Sequence, residues 1–536
     1  MKAGIYAFAR SKYYLLTGLF MFLSFPSYDV CFLKGFPIIA WFALVPLFLY
    51  VRDKGLKEIY LSSLYAGLLG IFLAYRWIGD FGDNVPGGDY VILFFLVPSL
   101  AVVFATKILL SEIISRQFEN VRFLVYPSIW IAVDALQSIG FLAFPWTYWG
   151  YSQYPFTAFI QLSSITGIFG VTFIIICASA CIADCLHALR ATRMAFAASL
   201  RHPSCIKLAC VVLCVAGASV WGAYRLSHNA SPSAADRLRV SIVQSCIDPW
   251  DDWNLKKFDN LNDLRKLTMA SSLQSPEFVI WSESATLELI SYDYRHKALS
   301  PFDREVLDIA STVRAPLLTG EIGVLEDPLK RRAYPQNNAV LINEYGEIVK
   351  SYPKINLVPF GEWFPYEKWL PLIKKIAVEF GGSNFVPGRE PVLFTIKNKS
   401  FGPLICYEGI FFRLCRLYRN MGADFFVNIT NLGWTDTYKG HMQGFASAKF
   451  RAIENGIWFV SAGNTGYTAL VNPYGRVTES IPILRQGYLV GDLDFSLNHT
   501  TLYSEYGDVI LYAAIAFLLV LAGVVAARKF MRKYAV

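Results

Sequence analysis

Long uncharged runs dominate the first 225 or so residues of the chain, whereas residues 226–507 mix apolar and polar positions as a soluble domain does. Such runs predict membrane-spanning helices, because a helix needs about 20 apolar residues to cross a bilayer. We predict a membrane domain at 1–225, an exported domain at 226–507, and a last span with a basic tail at 508–536. The pattern predicts eight spans, several of them short: 13–27, 36–51, 59–75, 91–106, 123–138, 164–183, 208–222 and 509–527.

Lysine and arginine are concentrated in alternate loops between these spans. They lie before span one, after span two, between spans four and five, between six and seven, and at the C-terminus, whereas residues 78–90 and 139–155 contain none. Because basic loops stay in the cytoplasm, both termini are predicted to be cytoplasmic and the domain at 226–507 to be exported, in a multi-pass membrane protein. The first run is followed by further spans, which favours a retained helix over a cleaved signal peptide.

Composition agrees with the membrane assignment. Hydrophobic residues make up 54% of the chain and charged residues 17%, which excludes a soluble multidomain protein and a disordered scaffold. The net charge of +8 on its own is compatible with nucleic acid, but the loop distribution assigns much of this excess to membrane topology. We therefore predict no nucleic-acid partner.

The exported domain has an α/β pattern. Strand-like runs at 238–245, 278–283, 401–408, 424–430 and 458–463 alternate with segments of helical periodicity. The helical segments are 254–271, 302–313 and 441–454. This alternation predicts a sheet that carries helices on its face, with loops at the strand ends in position to hold chemistry.

Three polar residues lie at strand ends or within strand-like runs: Glu283, Lys354 and Cys406. Each alone is weak evidence, but together they suit acyl transfer. A thiol attacks as the thiolate, and its ordinary pKa near 8.5 leaves only a few per cent ionised at neutral pH. Glu283 is predicted to take the thiol proton, and the Lys354 ammonium to stabilise both the thiolate and the oxyanion of a tetrahedral intermediate.

Other nucleophile and base assignments fit less well. No histidine lies in an apolar strand-end motif, and only His441, at the start of a predicted helix, is kept as a reserve base. Six of the ten cysteines lie in or near spans six and seven and are predicted to be packing residues, whereas the exported domain has Cys246, Cys406 and Cys415. No cysteine or histidine pair there has metal-ligand spacing, and no nucleotide motif is present, so neither a metal nor a cofactor is predicted.

The contexts of these three residues resemble a known family. WSESA around Glu283, YPKINLVPFGEW around Lys354 and LICYEG around Cys406 are similar to motifs of the nitrilase superfamily, and the chain as a whole resembles the apolipoprotein N-acyltransferases. Further segments share the likeness: FPWTYWGYSQ at 144–153, NITNLGW at 428–434, HMQGFASAKFRAIENG at 441–456 and GNTG at 463–466.

The resemblance implies an αββα sandwich domain in which Cys406 is the nucleophile, Glu283 the base and Lys354 the oxyanion-stabilising cation. Trp250 competes with Trp253 for one supporting position, and Asn431 is equally well explained as a turn residue. The supporting or substrate-binding residues that the resemblance implies are Glu362, Tyr407, Glu408, Trp253, Asn431 and Trp434.

Three residues in two segments depart from the family pattern. Gln244, Ser245 and Cys246 stand where Gln-Gly-Asn is usual, and Ser461 stands in place of a common arginine. These departures put the detail of the acceptor pocket in doubt. Cys246 is a second thiol near the expected site, but it lacks the Tyr-Glu and basic context of Cys406 and is not predicted to be the nucleophile.

The resemblance also implies the partners. A membrane phospholipid donates its acyl chain to Cys406 as a thioester, and the N-terminal amine of a diacylated apolipoprotein accepts it; we expect a monomer. Exposing an acyl chain to water costs about 0.8 kcal/mol per CH₂, which explains the membrane half. Residues 360–385, with Trp363, Phe364, Trp369 and Leu370, are predicted to form an interfacial lid or an ordinary amphipathic helix. Asp134 within span five is a further functional candidate or merely reaches water.

Two other functions remain open from the sequence. The first is a membrane-tethered nitrilase-like amidase, or an acyltransferase for another amine, which would consume soluble amides and ignore phospholipid. The second is a transporter or receptor whose exported domain only binds ligand. The spans lack obvious paired charges and inverted halves, which disfavours a transporter.

Overall fold

The computed structural model describes residues 2–26, 35–80, 88–140, 143–146, 148–192, 201–228, 236–327, 329, 331–364, 384–435 and 437–534. The chain forms two compact units. The first contains Met1–Gly79, Asp89–Ser227 and Tyr506–Val536, and the second contains Asp80–Gly88 and His228–Glu505. The functional domain boundaries at 225 and 507 stay predictions.

The helices and strands are as follows. The α-helices are α1 Lys2–Ser24, α2 Val45–Val51, α3 Leu56–Tyr75, α4 Gly88–Ser115, α5 Arg122–Gln137, α6 Thr157–Ile160, α7 Ser163–Thr192, α8 Pro203–Ser227, α9 Trp253–Ser272, α10 Ile290–His296, α11 Pro301–Val313, α12 Phe412–Asn420, α13 Tyr438–Asn455, α14 Leu502–Tyr506 and α15 Val509–Tyr534. The strands are β1 Arg237–Gln244, β2 Phe278–Ile280, β3 Leu317–Asp327, β4 Arg332–Ile342, β5 Ile348–Pro353, β6 Phe394–Ile396, β7 Lys399–Ile405, β8 Phe425–Thr430, β9 Trp458–Gly463, β10 Thr468–Val471, β11 Val477–Ile481 and β12 Gly487–Asp494.

The first unit is helical, and within the described residues five of its helices are long and apolar enough to cross a membrane. These are Leu56–Gly79, Leu93–Ser115, Ser163–Arg190, Pro203–Ser227 and Val509–Met531. The short span predicted at 36–51 corresponds to the apolar segment Pro37–Val51, in which a 3₁₀ turn at Pro37–Trp41 precedes the seven residues of α2. Helix α5 has 16 residues, which at about 1.5 Å per residue is less than the roughly 30 Å of a hydrocarbon core.

The exposure of these helices separates a centre from an outer surface. In the most apolar 18-residue segment of α7, 78% of the residues are buried, whereas the corresponding share is 6% in α8 and 17% in α15. Leu213 and Val220 of α8 are each 70% exposed. A helix so apolar and so little covered by protein is unfavourable in water and favourable in lipid, so this unit is a membrane domain.

Asp134, the candidate in span five, is fully buried and forms an ion pair and hydrogen bond with Lys107 of α4. The Lys107 Nζ also donates to Gln137 Oε1 at 3.1 Å. Asp134 therefore has a cation as its partner across two helices rather than merely reaching water, although a functional role for it stays a prediction. Lys107 was missed because its pairing depends on how α4 and α5 pack.

We expect Lys107→Met to destabilise the membrane unit, because it leaves the Asp134 carboxylate buried without a cation; breaking such a pair typically costs about 3–5 kcal/mol. The double variant Lys107→Met with Asp134→Asn should recover most of this loss. Thermal unfolding of the detergent-solubilised chain measures both effects, with the exposed Lys57→Met as control. Equal unfolding temperatures for the wild type and the single variant would contradict the expectation.

The second unit contains two six-stranded sheets, in the orders β12-β1-β2-β3-β4-β5 and β11-β10-β9-β8-β7-β6. Parallel pairs occupy the middle of each sheet and antiparallel pairs flank them. The sheets pack against each other: the rings of Phe278 on β2 and Phe401 on β7 lie 5.4 Å apart. Strands that are buried on both faces need mostly apolar residues, and this explains the apolar runs in the sequences of β2, β8 and β9.

Helices cover the outer face of each sheet. On the first sheet, α9 and α11 bury Leu261, Leu264, Val306 and Ile309 against Trp281 and its neighbours. On the second, α12 lies so close to β7 that a Cβ at Gly402 would fall 2.6 Å from the Tyr418 ring. The layers are therefore α, β, β, α, which confirms the predicted nitrilase-like sandwich beside a membrane helical part.

Candidate active site

The three predicted catalytic residues each lie at or just beyond the end of a strand. Glu283 lies three residues beyond β2, Lys354 follows β5 directly, and Cys406 follows β7 directly. Cys406 opens the 3₁₀ turn Cys406–Ile410 with a φ of 51°. A left-handed residue at this point reverses the chain sharply at the strand end, and such strain is typical of functional sites.

Lys354 lies between two carboxylates. Its Nζ is 2.7 Å from Glu362 Oε1 and 3.4 Å from Glu283 Oε1. Lys354 is 1% exposed and Glu283 5% exposed. Burial by itself lowers the pKa of Lys354, but the two carboxylates and the Cys406 thiolate raise it, and the net pKa lies above the usual range. The lysine is therefore a fixed positive charge in the site.

Asn337 orients both carboxylates and was missed from the sequence. Its Nδ2 donates to Glu283 Oε1 at 2.8 Å and to Glu362 Oε1 at 2.7 Å, while its backbone oxygen accepts from the Lys354 N–H at 2.8 Å. The available signal was the pair Asn337-Asn338 directly before the apolar end of strand β4, because asparagine is depleted in strands.

The Cys406 thiol is protonated at rest. Burial raises its pKa well above the ordinary value and the Glu283 carboxylate raises it further, whereas Lys354 and the backbone of Asn431 lower it. Lys354 therefore lowers the pKa of the Cys406 thiol, as predicted, but burial and the Glu283 carboxylate together raise this pKa by more. The arrangement suits removal of the thiol proton by Glu283 during attack rather than a thiolate already formed.

The Glu408 carboxylate links two segments of the site by hydrogen bonds. They are the nucleophile turn, Cys406–Ile410, and the segment after β5 that contains Lys354, Ile355 and Asn356, which we name the lysine loop. Glu408 Oε1 accepts from the backbone N–H groups of Ile355 and Asn356 at 2.8 and 3.0 Å and from Tyr352 Oη at 2.9 Å. Its Oε2 accepts from the Ile405 N–H at 2.9 Å. Burial raises the pKa of Glu408 to about 7, and its backbone donors lower it.

The neighbouring Tyr407 is also buried, with its ring edge-on to Phe411 at a centroid distance of 5.1 Å. The contacts described for Tyr407 and Glu408 thus support the nucleophile turn from within the protein. Their predicted roles in substrate handling stay predictions.

Asn431 forms a turn, as one of its two predicted roles requires, and contacts the candidate base, whereas its substrate-binding role stays a prediction. Its backbone N–H donates to Glu283 Oε2 at 2.8 Å, and its Oδ1 accepts from the Gly433 N–H at 3.0 Å, which forms a local turn. Asn464 was missed: its Nδ2 donates to Asn431 Oδ1 at 3.1 Å, and its Oδ1 accepts from the Ile247 N–H at 2.8 Å. Asn464 thereby ties the end of β1 to the residue that holds the base.

The departures from the family pattern lie beside this link. The Ser245 hydroxyl donates to Asn464 Oδ1 at 3.2 Å and the Cys246 N–H to Asn464 O at 3.1 Å. Burial raises the pKa of Cys246 to about 11, so this thiol is a poor nucleophile at neutral pH. Ser461 is buried on β9 and donates to the Tyr467 carbonyl at 3.1 Å.

The contacts of Trp253 lie in the outer helical layer of the first sheet. Its Nε1 donates to Glu288 Oε1 at 2.8 Å, and its ring stands edge-on to Phe302 at 5.7 Å. Trp434 is half-buried in the loop after Asn431. The substrate-binding roles of both tryptophans stay predictions.

His441, the reserve base, is 2% exposed. Burial lowers its pKa to about 4, although the backbone of Thr435 raises it somewhat. A neutral, weakly basic imidazole is a poorer proton acceptor for a thiol than a carboxylate that already lies beside the lysine.

The predicted lid falls largely on residues 365–383, so Trp369 and Leu370 lie outside the described residues. Phe364 is 3% exposed and Trp363 is half-buried. Phe364 therefore does not present its ring to a bilayer in this structure. Within the described part of the chain, no group of three or more histidine, cysteine, aspartate or glutamate residues could hold a metal ion.

The αββα sandwich gives the second unit a fold of the nitrilase type, with Glu283, Lys354 and Cys406 as the candidate site residues. Residues 239–501 match the carbon-nitrogen hydrolase family, and residues 17–181 match the apolipoprotein N-acyltransferase N-terminal domain. A solved amidase from Nesterenkonia sp. aligns with 50% of this chain and 96% of its own, at 20% identity and a TM-score of 0.37.

Relatives extend the likeness over nearly the whole chain. Apolipoprotein N-acyltransferase 1 of Treponema denticola is 28% identical over 515 residues, covering 92% of each chain. The apolipoprotein N-acyltransferase of Borreliella burgdorferi is 29% identical over 507 residues, covering 91% of this chain and 90% of its own. With matches to both domains and to full-length relatives, this chain belongs to the apolipoprotein N-acyltransferase family.

Proposed function

We propose that the protein moves a fatty acyl chain from a membrane phospholipid to the N-terminal amine of the diacylglyceryl-cysteine of apolipoproteins. The observation that carries this proposal is the buried cluster of Lys354, Glu283 and Glu362 beside the strained Cys406, in a chain with apolar membrane helices. Family membership supports lipoprotein N-acylation, and the site chemistry supports a thioester route.

In the first half-reaction, Cys406 attacks the carbonyl carbon of the phospholipid ester. Glu283 takes the thiol proton as the S–C bond forms, and the fixed charge of Lys354 stabilises the oxyanion. The C–O bond then breaks, the lysophospholipid oxygen takes the proton from Glu283, and Cys406 holds the chain as a thioester. Because Asn337 and the Asn431 N–H hold both oxygens of Glu283, the base is oriented before substrate arrives.

In the second half-reaction, the free amine of the acceptor attacks the thioester carbon. Glu283 takes a proton from the amine, Lys354 again stabilises the oxyanion, and the C–S bond breaks to release the amide. The Cys406 thiolate recovers a proton from Glu283, which restores the starting state. The high pKa of the buried Cys406 thiol favours this final protonation.

The donor chemistry explains why the catalytic unit shares a chain with membrane helices. Bringing a chain of about 16 carbons into water costs more than roughly 10 kcal/mol, so the reaction must take place at the bilayer. We place the protein in the bacterial inner membrane as a monomer, with both termini cytoplasmic and the catalytic domain periplasmic. The basic residues of alternate loops support this orientation.

We expect brief exposure of the purified chain to phospholipid without acceptor to add one acyl mass, removed by hydroxylamine and mapped to Cys406. Intact mass spectrometry measures the gain, with Cys406→Ser as the inactive variant and Cys246→Ser as the matched thiol control that still becomes acylated. An unmodified wild type that releases no lysophospholipid contradicts the proposal. Hydrolysis of soluble amides by that same preparation would instead identify a membrane-tethered amidase.

A further inference from the structure

Strand β3 supports residues 283–291, the segment that carries Glu283 and ends at the first residues of α10. We name this segment the base loop. At Gly320 the strand lies so close that an added Cβ would fall 3.0 Å from the Cα of Glu283. The Thr286 hydroxyl donates to the Gly320 carbonyl at 2.7 Å. The position of the base therefore depends on how this loop is fastened to β3.

The next residue of β3, Glu321, has a buried carboxylate that holds the far end of the base loop. Its Oε2 accepts from the Ser291 N–H at 2.8 Å, and its Oε1 accepts from the Ser291 hydroxyl. Glu321 is 3% exposed, and no ion pair found among the described residues includes it. A buried carboxylate without a paired cation is costly, so packing alone does not explain an ionisable residue here.

Strand β4 connects this carboxylate to the catalytic cluster. Asn338 lies opposite Glu321 in the β3–β4 register, and the adjacent Asn337 holds Glu283 and Glu362. Successive residues of a strand point to opposite faces of the sheet. Asn337 of β4 therefore contacts the catalytic cluster, and Asn338 lies on the same face of the sheet as Glu321.

We propose that Glu321 is a positioning residue for acyl transfer: its carboxylate holds Ser291 and so fixes the base loop that presents Glu283. The inference rests on the proposed role of Glu283 as the base. It also adds a residue to the reaction that touches neither substrate nor nucleophile and acts only through the loop.

The ionisation of Glu321 gives this role a pH signature. Burial raises the pKa of Glu321 from 4.5 to about 7; the Ser291 hydrogen bonds lower it, as do the charge of the exposed Arg295 on α10 and the neutral Asn338 side chain on β4. The folded state thus binds the Glu321 proton more tightly than the unfolded state. Ionisation destabilises the fold increasingly between about pH 4.5 and 7, and fully above pH 7.

The variant Glu321→Gln removes this destabilisation and weakens the grip on Ser291, so it should unfold at a higher temperature than wild type at pH 8.5 while being less active. We expect its kcat for lysophospholipid release to fall about tenfold at pH 8.5, with KM nearly unchanged, because small displacements of a catalytic group have effects of this size. At pH 6.0, where wild-type Glu321 is itself neutral, the ratio of wild-type kcat to Glu321→Gln kcat should fall below about three. Glu408 titrates equally in both proteins and cancels from the ratio.

Matched variants make the test decisive. Glu326→Gln neutralises an exposed carboxylate of the same strand and should leave the ratio near one at both pH values. Ser291→Ala keeps the backbone donor and loses the hydroxyl, so it should show a smaller effect in the same direction, and it serves if Glu321→Gln does not fold. A Glu321→Gln ratio that is equal at the two pH values, or within twofold of one at pH 8.5, overturns the inference.

Alkylation of Cys406 by iodoacetamide separates this inference from the proposed function, since it needs no phospholipid. If wild type releases no lysophospholipid, the proposed function fails. The pH-dependent ratio of alkylation rates then still supports Glu321 as a positioning residue if it follows the expected course, and overturns it if it is flat.

Discussion

Replacement of Lys354 by methionine is expected to abolish acyl transfer and to destabilise the catalytic unit together. The variant loses the cation that stabilises the oxyanion, an effect of about 10²–10³ in kcat by itself. It also leaves two carboxylates, the buried Glu283 and the partly buried Glu362, that share Asn337 as a donor without the charge between them. Removing one member of a buried ion pair costs about 3–5 kcal/mol, so we expect a loss of that size in the free energy of unfolding.

The two effects of the Lys354 variant are separable. Adding Glu362→Gln to Lys354→Met removes one of the repelling charges and should restore at least half of the lost stability, while kcat stays at least about 10²-fold below wild type. Thermal unfolding and lysophospholipid release measure the two quantities. The exposed Lys350→Met on β5, the strand that precedes Lys354, is the matched control and should change neither. More than a tenth of wild-type kcat in Lys354→Met would refute the assigned role.

The sequence could locate the candidate catalytic residues because Glu283 and Cys406 follow apolar runs that fold as strands and Lys354 directly follows β5. Strand ends meet at a sheet edge, so a glutamate, a lysine and a cysteine in such contexts could be expected to converge. The structure brings Lys354 and Glu283 to 3.4 Å. The membrane character and the α/β pattern were predictable from the runs and alternation of apolar residues, whereas the αββα sandwich was implied by the family resemblance.

The supporting residues could not be predicted in the same way. Asn337 acts through the β3–β4–β5 register, Asn464 through a loop more than 200 residues from its partner Ile247, and Lys107 through the packing of two membrane helices. Each role depends on tertiary contacts that have no local pattern. The break inside the second predicted span, Pro37–Val51, could not be predicted for a related reason: an apolar run does not distinguish a continuous helix from a 3₁₀ turn followed by a short helix.

The Glu408→Gln variant is the second change from which we expect a large effect. The wild-type carboxylate accepts four hydrogen bonds, three from the lysine loop and its strand and one from Ile405, directly before the nucleophile. A glutamine offers one acceptor oxygen, and its amide N–H₂ group must face N–H donors that it cannot bind. Each buried donor left unpaired costs about 1–3 kcal/mol, so we expect a loss of about 2–4 kcal/mol in the free energy of unfolding.

The same variant should lower kcat by at least a hundredfold, because the clamp sets the distance between Cys406 and Lys354 and an error of about 1 Å there has an effect of that order. Tyr352→Phe removes one of the four donors and leaves the three backbone bonds, so it should lose about 1 kcal/mol and less than tenfold in kcat. Single-turnover acylation of Cys406 measures the effect on the first half-reaction. A Glu408→Gln protein that acylates at the wild-type rate would contradict this expectation. It would show that the nucleophile turn and the lysine loop hold their relative position without the Glu408 carboxylate. It would also show that the sheet alone supports the strained backbone of Cys406.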